Sequence, residues 1–236
     1  MRKNLLSISA DSKTTKGEKL GYLTGMLSFA PFNLSGVNVC PFAKVAGCVK
    51  PCLNLSGRGA FSNVQRARLN KTLFFFNERE SFFDNLWLDI EKLSRLADRR
   101  GMIPAVRLNG LSDIEWEGEK FTRDGIEYPN IFEAFPDVQF YDYTKNPRRD
   151  RLPKNYDLTF SLSGAKDFAR FNALALSRGM RCAAVYRGPM PREFMGRRTI
   201  NGDDTDLRFL DRPERIIMLK AKGKARTDRG AFVFDF

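Results

Sequence analysis

Residues 81–110, SFFDNLWLDIEKLSRLADRRGMIPAVRLNG, hold the pattern that decides the fold. Phe83, Leu86, Leu88, Ile90, Leu93 and Leu96 form one apolar helical face, and Gly101 ends the helix. IPAVRLNG (103–110) follows as an apolar strand that runs into a polar turn. A helix feeding a strand is half of a βαβ unit, so the question is how often the unit repeats. Further strands are expected in YLTGMLSFAPF (22–32), VQFYDYT (138–144), YDLTFSLSG (156–164), RCAAVYRG (181–188) and RIIMLKAKG (215–223). Helices are expected in 56–72, 128–137 and 165–179, the last closed by Gly179. About six strands alternating with helices predict an α/β protein with a parallel sheet. It is either open or a partial (β/α)6-type barrel, with a cysteine-rich loop after the first strand. Residues 1–19 are polar and read as a flexible arm, and 20–236 as a single α/β domain.

In both architectures active sites gather at the carboxyl ends of the strands. The second strand is followed there by Arg107, Asn109, Ser112 and Asp113, the third by Tyr143, Thr144 and Lys145, and the fourth by Ser161 and Ser163. Arg107, Asn109, Asp113, Tyr143 and Lys145 are the candidate catalytic residues. Ser112, Ser161 and Ser163 are the candidate cofactor contacts. For VRLNGLSD the plain alternative is a turn, because Asn-Gly is a common turn dipeptide and Ser-Asp suits a helix cap. The aspartates of INGDDTDLRF read as a solvated turn, since the spacing lacks the closing Glu of a calcium loop.

The loop after the first strand is CPFAKVAGCVKPC, with Cys40, Cys48 and Cys52 spaced C-x7-C-x3-C. The chain has no histidine, which excludes Ser-His-Asp, Cys-His, HExxH and Cys2His2 chemistry. No stretch resembles a signal peptide or a membrane span. A cytoplasmic protein without membrane contact is therefore expected. In that compartment clustered thiols point to metal rather than disulfides. Three thiolates suit a [4Fe–4S] cluster. Cys182 could complete a four-thiolate cluster or zinc site, or serve as a small buried hydrophobe. The formal charge of +12 and the basic runs at 145–151, 187–198 and 220–230 point to DNA or RNA as partner.

SLSGVNVCPFAKVAGCVKPCLNLSGRG, RARLNKT, VRLNGLSDIEWE, FYDYTKNP, TFSLSG and INGDDTDLRFLD occur in an order that resembles the bacteriophage family described as gene product 88. The resemblance runs from about residue 26 to the end and implies the cytoplasm of a host cell. More distantly, the order of elements is similar to radical S-adenosylmethionine enzymes. There, three cysteines after the first strand of a partial TIM barrel hold a [4Fe–4S] cluster whose free iron binds S-adenosylmethionine. The usual spacing in that group is C-x3-C-x2-C, and RLNGLSD stands where its Gly-Gly-Glu-type segment lies. The resemblance implies metal ligation by Cys40, Cys48 and Cys52 and, if the protein is an enzyme, radical chemistry. Two other classes remain open: a module stapled by zinc or a cluster that binds nucleic acid, and a scaffold that binds a host protein.

Overall fold

All six apolar stretches expected as strands are strands in the computed structural model, which describes residues 4–8 and 12–236. In chain order the strands are β1 (Ser7–Ile8), β2 (Tyr22–Met26), β3 (Ile103–Arg107), β4 (Phe121–Arg123), β5 (Ile126–Tyr128) and β6 (Gln139–Thr144). There follow β7 (Tyr156–Ser161), β8 (Cys182–Arg187), β9 (Glu193–Phe194), β10 (Arg197–Asn201), β11 (Ile216–Lys220) and β12 (Phe234–Asp235). The helices are α1 (Ser12–Glu18), α2 (Ser62–Asn77), α3 (Arg79–Arg99), α4 (Ile131–Ala134) and α5 (Ala169–Ser177).

The main sheet runs β1-β2-β3-β6-β7-β8-β11-β10-β9, with β12 added beside β8. Every pair from β2 to β10 along this path is parallel, and the end strands β1 and β9 pair antiparallel. Successive strands from β2 to β8 are laid down side by side in one direction, without the reversal of a doubly wound sheet. The register climbs along the sheet, so that Cys182, which opens β8, lies level with Phe160 near the end of β7. Stagger of this sense accompanies strand tilt in barrels. Among the described residues the sheet is not closed: its path begins at β1 and ends at β9. The result is a mixed α/β protein with a mostly parallel central sheet, and a closed barrel is not what the pairing shows.

Crossovers of one hand place the helices on one face of such a sheet. Leu23, Val106, Phe140 and Leu158 point to that face and join Phe82, Phe83, Leu86, Ile90 and Leu93 of α3 in one core. The buried stripe of α3 differs from the expected face. Phe82, Asp89 and Ala97 belong to it, Leu96 packs at its edge, and Leu88 is only partly covered, being rotated off the stripe. Four phenylalanines pack around Trp116: the rings of Phe29, Phe75, Phe82 and Phe83 lie 5.1–6.4 Å from it. Beyond β7 the same face continues with Phe160, Phe168, Phe171, Ala184, Ile216 and Met218. A separate hairpin, β4–β5, turns at Asp124 and Gly125, both at positive φ.

The opposite face is covered by residues 202–211, which connect β10 to β11. Leu207 packs there on Ala105 and Tyr141, and Phe209 meets Tyr22 at 5.1 Å and Tyr141 at 5.4 Å. Residues expected in the polar arm contribute to the core. Leu5 is fully buried, and Asp89 in α3 accepts hydrogen bonds from the Leu5 and Leu6 amides at 2.6 and 3.0 Å. The Lys71 ammonium holds the Leu5 carbonyl at 2.6 Å, and Ser7–Ile8 adds a strand to β2. Two leucines among polar neighbours suffice when a buried carboxylate satisfies the backbone they drag inside. Residues 1–3 and 9–11 of that stretch lie outside the described residues.

Candidate functional site

In a parallel sheet every strand delivers its following loop to the same edge. Four such loops are bonded together here. The cysteine loop meets the loop after β3 through the Asp113 amide, which donates to Val39 O at 2.8 Å, and the Cys40 thiol, which donates to Leu111 O at 3.4 Å. It meets the loop after β7 through the Ser163 hydroxyl, which donates to Ala46 O at 2.7 Å. The Lys145 amide, just past β6, donates to the Asp113 carboxylate at 2.8 Å. Gly47 sits at φ +66 with room for no side chain, since a Cβ there would lie 2.7 Å from Gly230 O. The short Gly-containing turn is thus what lets the loop seat against the C-terminal segment.

Cys40, Cys48 and Cys52 are each partly buried, and each thiol is less acidic than usual. Burial is the main cause for all three. It pushes Cys40 up to about 12 despite the Phe32 amide donating to its sulfur, and Asp113, Cys52 and Cys48 raise it further. Lys145 opposes the rise at Cys48, and the hydrogen bond at Asn54 and then Arg68 oppose it at Cys52. The three thiols therefore share one electrostatic environment. Cys182, raised to about 11 by burial and eased only by Arg197, is buried in the core and donates to Met180 O. No mutual influence ties it to the other three. Among the described residues no group of three or more Cys, Asp or Glu side chains is placed to hold a single metal ion.

Beside the thiols lies Lys145. Its ammonium donates to Ser161 O at 2.7 Å and Leu162 O at 3.1 Å and lies over the rings of Phe232 and Phe168. Burial lowers its pKa to about 8, with Cys48 and Asp113 holding it from falling further. Ser161 thus reaches the lysine through its backbone. Asn109 is inside: its side-chain oxygen accepts from Ser112 Oγ, the Ile114 amide and Trp116 Nε1 at 2.8–3.3 Å. Asn109 and Ser112 consequently shape their own loop. The Asp113 carboxylate also meets Arg149 at 3.4 Å, and Ser163 accepts from the Ala165 amide.

Arg107 and Tyr143 point the other way, onto the face covered by residues 202–211. The Arg107 guanidinium pairs with Asp206 at 2.7 Å and lies 4.9 Å over the Tyr143 ring. Burial lifts the Tyr143 phenol well above its ordinary value, and Asp206 adds to this. The hydroxyls of Tyr143 and Thr159 and Nε of Arg208 are buried there with no hydrogen-bond partner among the described residues. The predicted residues therefore divide between two places. The cysteines, Asn109, Ser112, Asp113, Lys145, Ser161 and Ser163 gather at the carboxyl edge, and Arg107 and Tyr143 lie on the covered face.

Several charged residues of this region look like surface in the sequence. Asp206 and Arg208 are buried, and of the aspartates in that turn Asp204 is exposed and Asp203 partly so. Arg149, inside the basic run 145–151, is also buried. It donates to Glu117 at 2.7 and 2.5 Å and to Tyr156 OH at 3.0 Å. Asp142, in the middle of β6, accepts from the Asn109 amide at 2.7 Å, and burial raises its pKa to about 7. Its one sequence signal is a lone carboxylate on the apolar face of a strand, in FYDYT.

Fold and site together define a class: a mostly parallel α/β protein whose carboxyl-edge loops gather three thiols and a lysine over a partly polar interior. The family model described as Gene product 88 matches residues 4–235, and the chain belongs to that phage gene-product family. No curated protein and no solved structure matches it. Among the described residues no helix is long and apolar enough to cross a membrane.

Proposed function

We propose that this is an iron–sulfur protein of the host cytoplasm, in which Cys40, Cys48 and Cys52 ligate a [4Fe–4S] cluster on a radical-S-adenosylmethionine-like partial barrel. The observation that carries the reading is the seating of the cysteine loop against the loops after β3 and β7 at the carboxyl edge, the edge where α/β sheets place their chemistry. The donor set fits. In a cluster each thiolate binds a different iron, so the sulfurs need not converge on one point as they do around a single ion. Burial keeps the free thiols protonated, and metal binding would release those protons. Held by Cys40, Cys48 and Cys52, a cluster would supply an electron to a sulfonium cofactor such as S-adenosylmethionine. The protein's part is then to position it: Lys145 supplies positive charge beside Cys48, and Asp113 fixes the Lys145 backbone.

A second reading has its own observation. Asn109, Ser112, Asp113 and Ser163 already have protein partners, which leaves few polar groups at this edge free to hold a substrate. This favours a non-catalytic module in which the metal staples the loop and the surface engages nucleic acid or a host protein.

Anaerobic purification followed by visible absorption and iron and sulfide analysis tests the first reading. The expected result is a brown protein with about four irons and four sulfides per chain, lost in Cys40→Ser, Cys48→Ser or Cys52→Ser and kept in Cys182→Ser. A colourless protein with stoichiometric zinc would overturn it. Added S-adenosylmethionine should change the electron paramagnetic resonance of the reduced cluster; an unchanged signal selects the stapled module.

A further inference from the structure

Residues 19–77 contain no Asp or Glu and seven Lys or Arg. Residues 219–230 carry Lys220, Lys222, Lys224, Arg226 and Arg229 against Asp228 alone. The fold presses these distant segments together. The short 3-10 turns Leu53–Leu55 and Gly223–Arg226 are in contact, and Gly223 lies against Ser56 so closely that a Cβ there would strike the Ser56 hydroxyl. Gly47 lies against Gly230 on the same side.

Not all of these cations are free. Arg68 donates to Asn54, Lys71 to Leu5 O, and Lys222 pairs with Asp203. Lys50, Arg58, Arg66, Lys224 and Arg226 are exposed, and none has an ion-pair partner among the described residues. Lys44 is also exposed, 5.7 Å over the Phe32 ring. Apolar side chains stand among them: Phe61 is 60% exposed and Leu53 53%. Unpaired cations alone would follow any phosphate chain. An exposed ring between them adds a platform on which an unpaired base can stack, and a duplex keeps its bases to itself.

We propose that the face built from residues 44–66 and 222–229 binds single-stranded nucleic acid. Cations from the cysteine loop, the start of α2 and the 3-10 turn Gly223–Arg226 run along the backbone, and Phe61 stacks on a base. The surface borders the thiol loop but does not rest on the cluster reading: a colourless protein that binds the strand keeps this inference and loses that one.

The test is fluorescence anisotropy of the full chain with labelled 20-nucleotide DNA and RNA strands and the matching duplex, across a salt series. Six phosphate contacts predict a log K against log salt slope of about −4 for single strands. Lys50→Glu, Arg58→Glu, Lys224→Glu and Arg226→Glu combined should weaken binding by a factor of ten or more. Phe61→Ala should weaken it roughly tenfold with the slope unchanged. Lys154→Glu with Arg212→Glu, exposed cations ahead of β7 and β11 at the opposite edge of the sheet, should leave affinity within about threefold. Circular dichroism checks folding, and the same four positions changed to Gln serve if the reversal variant fails to fold. No binding at 50 mM salt, tighter binding of the duplex, or affinity kept by a folded four-position variant would each overturn the proposal.

Discussion

Arg107 was singled out for standing at a strand end, and its chemistry is set by a residue 99 positions away. Asp206 is pinned against it at 2.7 Å, out of water. A buried ion pair stabilises little relative to apolar groups of the same shape, but removing one partner strands the other. Arg107→Ala should therefore destabilise by about 3–5 kcal/mol, read by urea unfolding. Arg107→Ala with Asp206→Ala should be less destabilised than the single variant. Lys145 makes a different test. Burial disfavours its charged form, so it should lose its proton near pH 8 in the folded chain, followed by NMR of its side-chain nitrogen. Its folded value lies below the unfolded one, so the folded state binds fewer protons between about pH 8 and 10.5. This group's contribution to stability accordingly rises with pH across that window. A midpoint above 10 would show that the ammonium is solvated.

At the scale of elements, the loop after β3 shows how a turn becomes rigid. Asn109 gathers Ser112, Ile114 and Trp116 on one oxygen, and Asp142 holds its backbone. Asn109→Ala leaves buried donors without an acceptor and should cost about 2–3 kcal/mol in chemical denaturation. Asn109→Asp, which keeps the acceptor, should cost less at acid pH than at neutral pH, because its charge would face Asp142. The turn itself was legible from Asn-Gly and Ser-Asp. Its inward-facing oxygen was not, since turn propensity describes local backbone and says nothing about which side chain the core closes over. The stripe of α3 was misread at Leu88 for a related reason: six apolar residues do not define a face as well as the neighbours that bury it.

For the molecule as a whole, the sheet joins segments whose sequences look unrelated. The leading segment is the clearest case. Removing residues 1–8 deletes Leu5 and Leu6 from the core and β1 from the sheet, and it takes away the two amides that donate to Asp89. Thermal and urea unfolding should both shift to lower values, with a loss of about 3 kcal/mol or more. A freely moving arm would give no shift.

The strands and the helices that alternate with them were readable because hydrophobic period and glycine stops are local properties. Their parallel pairing in chain order followed from crossover geometry, and their pattern alone left barrel and open sheet undecided. The thiols were legible as a group because three fall within thirteen positions of a chain without histidine. What only the tertiary structure decided is which charges are inside. Arg149 and Asp206 sit in stretches as polar as any solvated loop and became buried because each found an opposite charge far along the chain, Glu117 and Arg107, while Arg208, paired with Asp211 in its own turn, was carried inside when that turn covered the sheet. Burial of a charge depends on a partner, and partners far apart in the chain are brought together only by the fold.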